Sequence, residues 1–88
     1  MKIKFSDVAL KEYEWFASND KKTAQRIMHL LEDIKRDPRK GLGKPEPLKY
    51  GYSGVWSRRI DSKNRILYRI VDINTIIVVR CKGHYDEK

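Results

Sequence analysis

With 88 residues and a formal net charge of +8, the chain has material for one small hydrophobic core, so a single domain over residues 1–88 is expected, without a second. Its 40% hydrophobic and 36% charged residues fit a globular protein in water, and the longest apolar run, Ile76-Ile77-Val78-Val79, is far too short to cross a bilayer. The excess of 20 Lys and Arg over 12 Asp and Glu calls for a polyanionic partner, either nucleic acid or an acidic protein.

The first residues, Met1 to Asp7, lack the apolar stretch of a secretory signal, which makes the cytoplasm the expected compartment. Lys2 to Phe5 reads as a short strand with Ile3 and Phe5 on one face. Ser6 can cap a helix, with Asp7 favourably placed at its amino-terminal dipole, and that helix should end near Ser18-Asn19. Asp20 offers the next cap, and Ala24, Ile27, Met28, Leu31 and Ile34 keep the helical period through a second helix that Asp37-Pro38 stops. Gly41, Gly43, Pro45 and Pro47 make residues 38–47 a loop. Strands are predicted at Leu48 to Tyr50, Val55 to Ile60, Arg65 to Val71 and Thr75 to Lys82. The expected fold class is α+β, an amino-terminal strand and helical hairpin packed on a mostly antiparallel sheet.

Strand parity sorts the charges. If Trp56, Ile60, Ile66, Tyr68 and Ile70 face the helices, then Arg59, Arg65 and Arg69 face the other way; a register slipped by one residue would mix charged and apolar positions. In the last strand Ile77, Val79 and Cys81 make the better core face, which sends Arg80, Lys82 and His84 to the side of the arginines. Facing cations repel, and such crowding is tolerated mostly where an anion binds; the plainer alternative is a solvated basic face made of Arg58, Arg59 and Arg69. Cys81 reads as a small hydrophobe in a strand. With only His29 and His84 beside it no zinc site forms, and no metal or other cofactor is expected. His29 reads as structural, and Trp15, Trp56 and Tyr68 as core.

Three segments stand out: Gly43-Lys44-Pro45-Glu46-Pro47-Leu48-Lys49, Ser53-Gly54-Val55-Trp56-Ser57-Arg58-Arg59-Ile60, and His84-Tyr85. With them, and along essentially its whole length, the chain resembles the YoeB toxins of bacterial toxin-antitoxin systems, within the RelE/ParE superfamily. The resemblance implies a RelE-like, microbial ribonuclease-like fold and cleavage of mRNA on the ribosome that inhibits translation. It also implies neutralisation by a YefM-type antitoxin, and it leaves a homodimer open. Residue by residue, the family's general base falls on Glu46, its general acid on His84 and its phosphate-binding arginine on Arg65, with Lys49 and Arg59 in support and Tyr85 beside the substrate. Two features depart from the pattern: Gly83 where a bulkier residue is common, and the Asp86-Glu87-Lys88 extension. Both leave the resting position of His84 open.

These residue types suit metal-independent RNA cleavage. With ordinary pKa values of ~4.3 for glutamate and ~6.5 for histidine, Glu46 can accept the 2′-hydroxyl proton, while a nearby phosphate favours a protonated His84 that can donate. Arg65 can offer two parallel donors to phosphate oxygens, Lys49 a point charge, and Tyr85 a ring on which a base can stack. Prolines on both sides of Glu46 restrict its backbone. Two other classes use the same cations: a non-catalytic module that binds RNA or an acidic protein, and a gyrase-directed toxin on the same scaffold.

Overall fold

Two side-chain caps start the helices. In the computed structural model, which describes residues 1–52 and 54–84, the Ser6 hydroxyl accepts a hydrogen bond from the Ala9 N–H and opens α1 (Asp7–Asn19). Asp20 serves both helices. Its N–H donates to the Phe16 carbonyl at the end of α1, and its carboxylate accepts from the N–H and hydroxyl of Thr23 to open α2 (Lys21–Arg36). The chain leaves helical geometry at Asp37, the residue before Pro38, as its restricted backbone requires.

Among the described residues, five strands follow the chain as β1 (Lys2–Phe5), β2 (Glu46–Pro47), β3 (Val55–Arg59), β4 (Arg65–Asp72) and β5 (Thr75–Arg80). They form one sheet in the order β1-β5-β4-β3-β2, with β1 parallel to β5 and every other pair antiparallel. Ala9, Phe16, Ala24, Ile27, Leu30, Leu31 and Ile34 of the helices pack on Ile60, Ile66, Tyr68, Ile76, Val78 and Cys81. The fold is therefore α+β with a mostly antiparallel sheet, as the order of elements predicts. Residues of the other face, Leu48, Val55, Leu67 and Val79, form a second, smaller apolar cluster.

Several expectations change. Leu48 to Tyr50 is not a strand: pairing occurs earlier, at Glu46–Pro47, and a 3₁₀ turn follows at Tyr50–Tyr52. The two-residue strand carries no periodic signal, so the glycines and prolines around it hid it. In β5 the parity is reversed, with Ile76 and Val78 facing the helices and Ile77 and Val79 not in that core. The cause is a bulge. Tyr68 pairs with Val78 but Leu67 with Arg80, so Val79 is an extra residue that returns Cys81 to the helix side and leaves Arg80 opposite Leu67. On α2, Leu30 is buried while Met28 is exposed, and Trp15 of α1 is exposed beneath the Lys82 ammonium, which lies 4.1 Å from its ring centre. His29 is exposed as well.

Arg58 overturns its assignment to a solvated face, for it is fully buried. Its even-numbered position turns it toward α2, where all five guanidinium N–H donors are used: Nε donates to the Tyr68 hydroxyl, NH1 to Asp33 and the Leu42 carbonyl, and NH2 to the carbonyls of Asp37 and Lys40. The Tyr68 hydroxyl in turn donates to the Pro38 carbonyl at 2.6 Å. The connection between α2 and β2 is thus tied to the sheet from within. At its end Gly43 has a φ of +77° and its carbonyl accepts from the Arg59 N–H at 2.6 Å, which aims the chain into β2.

Candidate active site

The sheet face turned away from the helices carries a cavity of about 330 Å³. Val55, Leu67 and Val79 supply its apolar floor, and Arg65, Arg69, Arg80, Lys82 and His84 its polar walls. No aspartate or glutamate is among the described residues that line it, so it is a hollow suited to an anion.

Arg65 and His84 meet at this cavity because the start of β4 is bonded to the chain beyond β5. The Arg65 N–H donates to the Gly83 carbonyl at 2.9 Å. Its guanidinium NH1 donates to the carbonyls of Asp61 at 2.7 Å and Asn64 at 3.0 Å, while Nε and NH2 donate to none of the described residues. The head group is therefore held along one edge and open along another. Arg59 is exposed directly opposite Arg65 in the β3–β4 register.

Glu46 reaches the same face by register. It pairs with Ser57, which pairs with Leu67, and residues directly opposed across antiparallel strands share a face. Glu46, Ser57 and Leu67 hence make one row across three strands, with the Glu46 backbone about 10 Å from that of Leu67 at the usual strand spacing. Lys49, itself exposed, follows after β2, its carbonyl accepting from the Tyr52 N–H at 3.3 Å, and Tyr52 lines the cavity. The position predicted for Tyr85 lies outside the described residues. Of the sequence candidates, then, Arg65 and His84 share the cavity, Glu46 shares its face, Arg59 flanks Arg65, and Lys49 stands beside Glu46 in the chain.

Glu12 is a contributor that sequence reasoning missed. One of its carboxylate oxygens accepts from Nε and NH2 of Arg80, at 2.9 and 2.8 Å, and the other from the Cys81 N–H at 2.8 Å. It thereby ties α1 to the bulged end of β5, from which the chain runs to His84. Burial pushes the Cys81 thiol up to about 12, with the Glu12 charge adding to the effect. That thiol packs in the core, donating to the Ala9 carbonyl, and takes no part in the cavity. Among the described residues, no three His, Cys, Asp or Glu side chains gather as metal ligands would.

The family model of the YoeB-like toxin of bacterial type II toxin-antitoxin systems matches residues 5–85. The chain belongs to this family. Toxin YoeB of Synechocystis sp. is 48% identical over 85 residues, which cover 97% of this chain and 98% of that protein. Among solved structures, the YoeB/ParE toxin from Agrobacterium tumefaciens superposes with a TM-score of 0.92 at 37% identity, covering 97% of this chain and all of the other. The YoeB-YefM heterotetramer from Staphylococcus aureus contains a chain with a TM-score of 0.88 and 42% identity, with 97% and 98% covered. The fold and family of this YoeB-like toxin thus agree with what its three sequence segments imply.

Proposed function

We propose that this toxin is an mRNA endoribonuclease that acts on the ribosome and halts translation. The reading is carried by one observation: Arg65 and His84 line a single cation-rich cavity, and Glu46 stands on the same face of the sheet. In this mechanism a message phosphodiester sits against Arg65, whose open guanidinium edge takes two phosphate oxygens. The Glu46 carboxylate removes the 2′-hydroxyl proton, the 2′-oxygen forms a bond to phosphorus, and the bond from phosphorus to the 5′-oxygen breaks. His84 gives its proton to the departing 5′-oxygen, so the products are a 2′,3′-cyclic phosphate and a 5′-hydroxyl. Glu46 keeps the proton it took, and exchange with water resets both groups. Arg65, with Arg59 opposite it in the register and Lys49 in support, offsets the charge that grows on the phosphorane oxygens. Acid and base groups held in this way contribute on the order of 10²–10⁴-fold each.

A YefM-type antitoxin is the proposed neutraliser, as in the Staphylococcus aureus complex. An acidic segment that folds over the cationic cavity would block message and toxin chemistry together.

Mapping of mRNA ends on programmed ribosomes tests the reading. Wild type should create new ends that bear a cyclic phosphate, whereas Glu46→Ala and His84→Ala should bind programmed ribosomes without making ends. Salt-sensitive binding with no new ends from wild type would make the protein a binding module instead.

A further inference from the structure

We infer that Asn64 is a positioning residue that fixes His84 relative to Arg65 through the Gly83 peptide. The inference rests on the nuclease reading and adds to it a part that the candidate residues leave out. Gly83 sits in the left-handed region, φ +84°, with open space where a Cβ would project, so neither side-chain packing nor ordinary backbone preference holds it there. It is held by hydrogen bonds on both of its backbone groups. Its N–H donates to Asn64 Oδ1 at 2.7 Å, and its carbonyl accepts from the Arg65 N–H at 2.9 Å.

The Asn64 amide is itself oriented. Its Nδ2 donates to both carboxylate oxygens of Asp61, each at 3.2 Å, which leaves Oδ1 to face Gly83. Asp61 is fixed in turn by the N–H groups of Lys63 and Asn64, both at 2.8 Å. The carbonyls of the same two residues, Asp61 and Asn64, hold the Arg65 guanidinium. A single turn therefore grips the phosphate-binding candidate by its head group and the acid candidate by the peptide before it. Asn64 touches neither substrate nor leaving group in this scheme; it sets the distance between the two residues that do. Substrate affinity depends on cations that this turn leaves in place, so removing the bracket lowers the rate of the bond-breaking step far more than it weakens binding.

The test uses the full chain on message-programmed ribosomes, comparing wild type, Asn64→Ala, Gly83→Ala and the double variant. Gly83→Ala fills open space but disfavours the left-handed backbone, so it breaks the same bracket from the other side. Each single variant should lower the single-turnover rate at saturating ribosome by about 10- to 100-fold with the half-saturating concentration unchanged within about twofold, and the double should be no slower than the worse single. Hydrogen exchange should show the Gly83 amide losing protection in Asn64→Ala while the strand amides keep theirs. If Asn64→Ala exposes that amide yet cleaves at the wild-type rate, or if the two losses multiply, the positioning role falls and the nuclease stands. A wild type that makes no ends would instead remove the nuclease reading. Should Asn64→Ala fail to fold, Gly83→Ala alone decides by the same split between rate and half-saturation.

Discussion

Arg58 of β3 and Asp33 of α2 form an ion pair at 2.6 Å, with the arginine side chain 0% and the aspartate 14% exposed. Removing one partner leaves the other charge buried and uncompensated, which costs about 3–5 kcal/mol in comparable sites. Asp33→Ala should therefore lower stability by about that amount in urea unfolding. Arg58→Met should also destabilise, because the carbonyls of Asp37, Lys40 and Leu42 lose their donors. The double variant should lose less than the two singles added together, as contacting residues couple.

Acid should act through the same carboxylate. The hydrogen bond from Arg36, with those from the Leu42 N–H and Arg58, holds the Asp33 carboxyl well below the usual carboxylate range. A group whose pKa is depressed by folding adds stability that is complete above its unfolded value of ~3.9 and drains away as pH falls toward the folded one. The contribution of Asp33 to the free energy of unfolding should hence be flat from neutral pH down to about 5 and drop below it. In Asp33→Ala that part of the acid slope should disappear, which urea titrations at stepped pH will show.

Helices, their caps and the apolar parity of β3 and β4 were legible because each follows from a local rule: a capping side chain, a 3.6-residue period, a two-residue alternation. The parity of β5 is only half legible, since Val79 is an extra residue: Cys81 in the core and Arg80, Lys82 and His84 on the other face follow the alternation, while Ile76 to Val79 before them are inverted. Arg58 is hidden from the sequence for a related reason. Its even position already put it on the helix side, but an arginine on an apolar face has no meaning until Asp33 is found one helix away. The candidate site was legible as residue types and as a family pattern. Its geometry depends on Gly83 being bonded to Asn64 and Arg65, a contact between segments 18 or 19 positions apart that no spacing rule encodes.

Arg65→Lys should separate charge from shape. The guanidinium is braced through NH1 while its Nε and NH2 edge stays open, and a lysine ammonium cannot reproduce both the brace and a two-pronged contact. If Arg65 holds the phosphate as proposed, cleavage should fall about 10²–10³-fold, the loss typical of removing one donor from a charge-stabilising site. The salt dependence of RNA binding should stay the same, because the number of cations is conserved. Rate and salt slope measured on one preparation check both halves.

Cys81 should be inert in the folded protein. It is fully buried and its thiol is pushed up to about 12, so almost no thiolate exists at pH 8 and none is accessible. Iodoacetamide at that pH should leave the native chain unmodified by mass spectrometry, and should alkylate it once in urea. Rapid labelling of the native chain would mean that the core beneath α1 opens.

Gly43→Ala should link loop strain to catalysis. At φ +77° an L side chain is disfavoured, and a Cβ would lie 2.8 Å from the Arg59 carbonyl oxygen and 3.0 Å from a Leu30 methyl, so backbone or core must move. The conformational penalty alone is roughly 1–2 kcal/mol, which for a domain of this size lowers the melting temperature by about 4–8 °C per kcal/mol. The Gly43 carbonyl bonds the Arg59 N–H, so a shift here also moves the entry to β2, three residues before Glu46. If Glu46 is the base, cleavage at 25 °C should drop by an order of magnitude or more even though the protein remains folded at that temperature. A variant that melts lower but cleaves at the wild-type rate would place the proton acceptor somewhere other than β2.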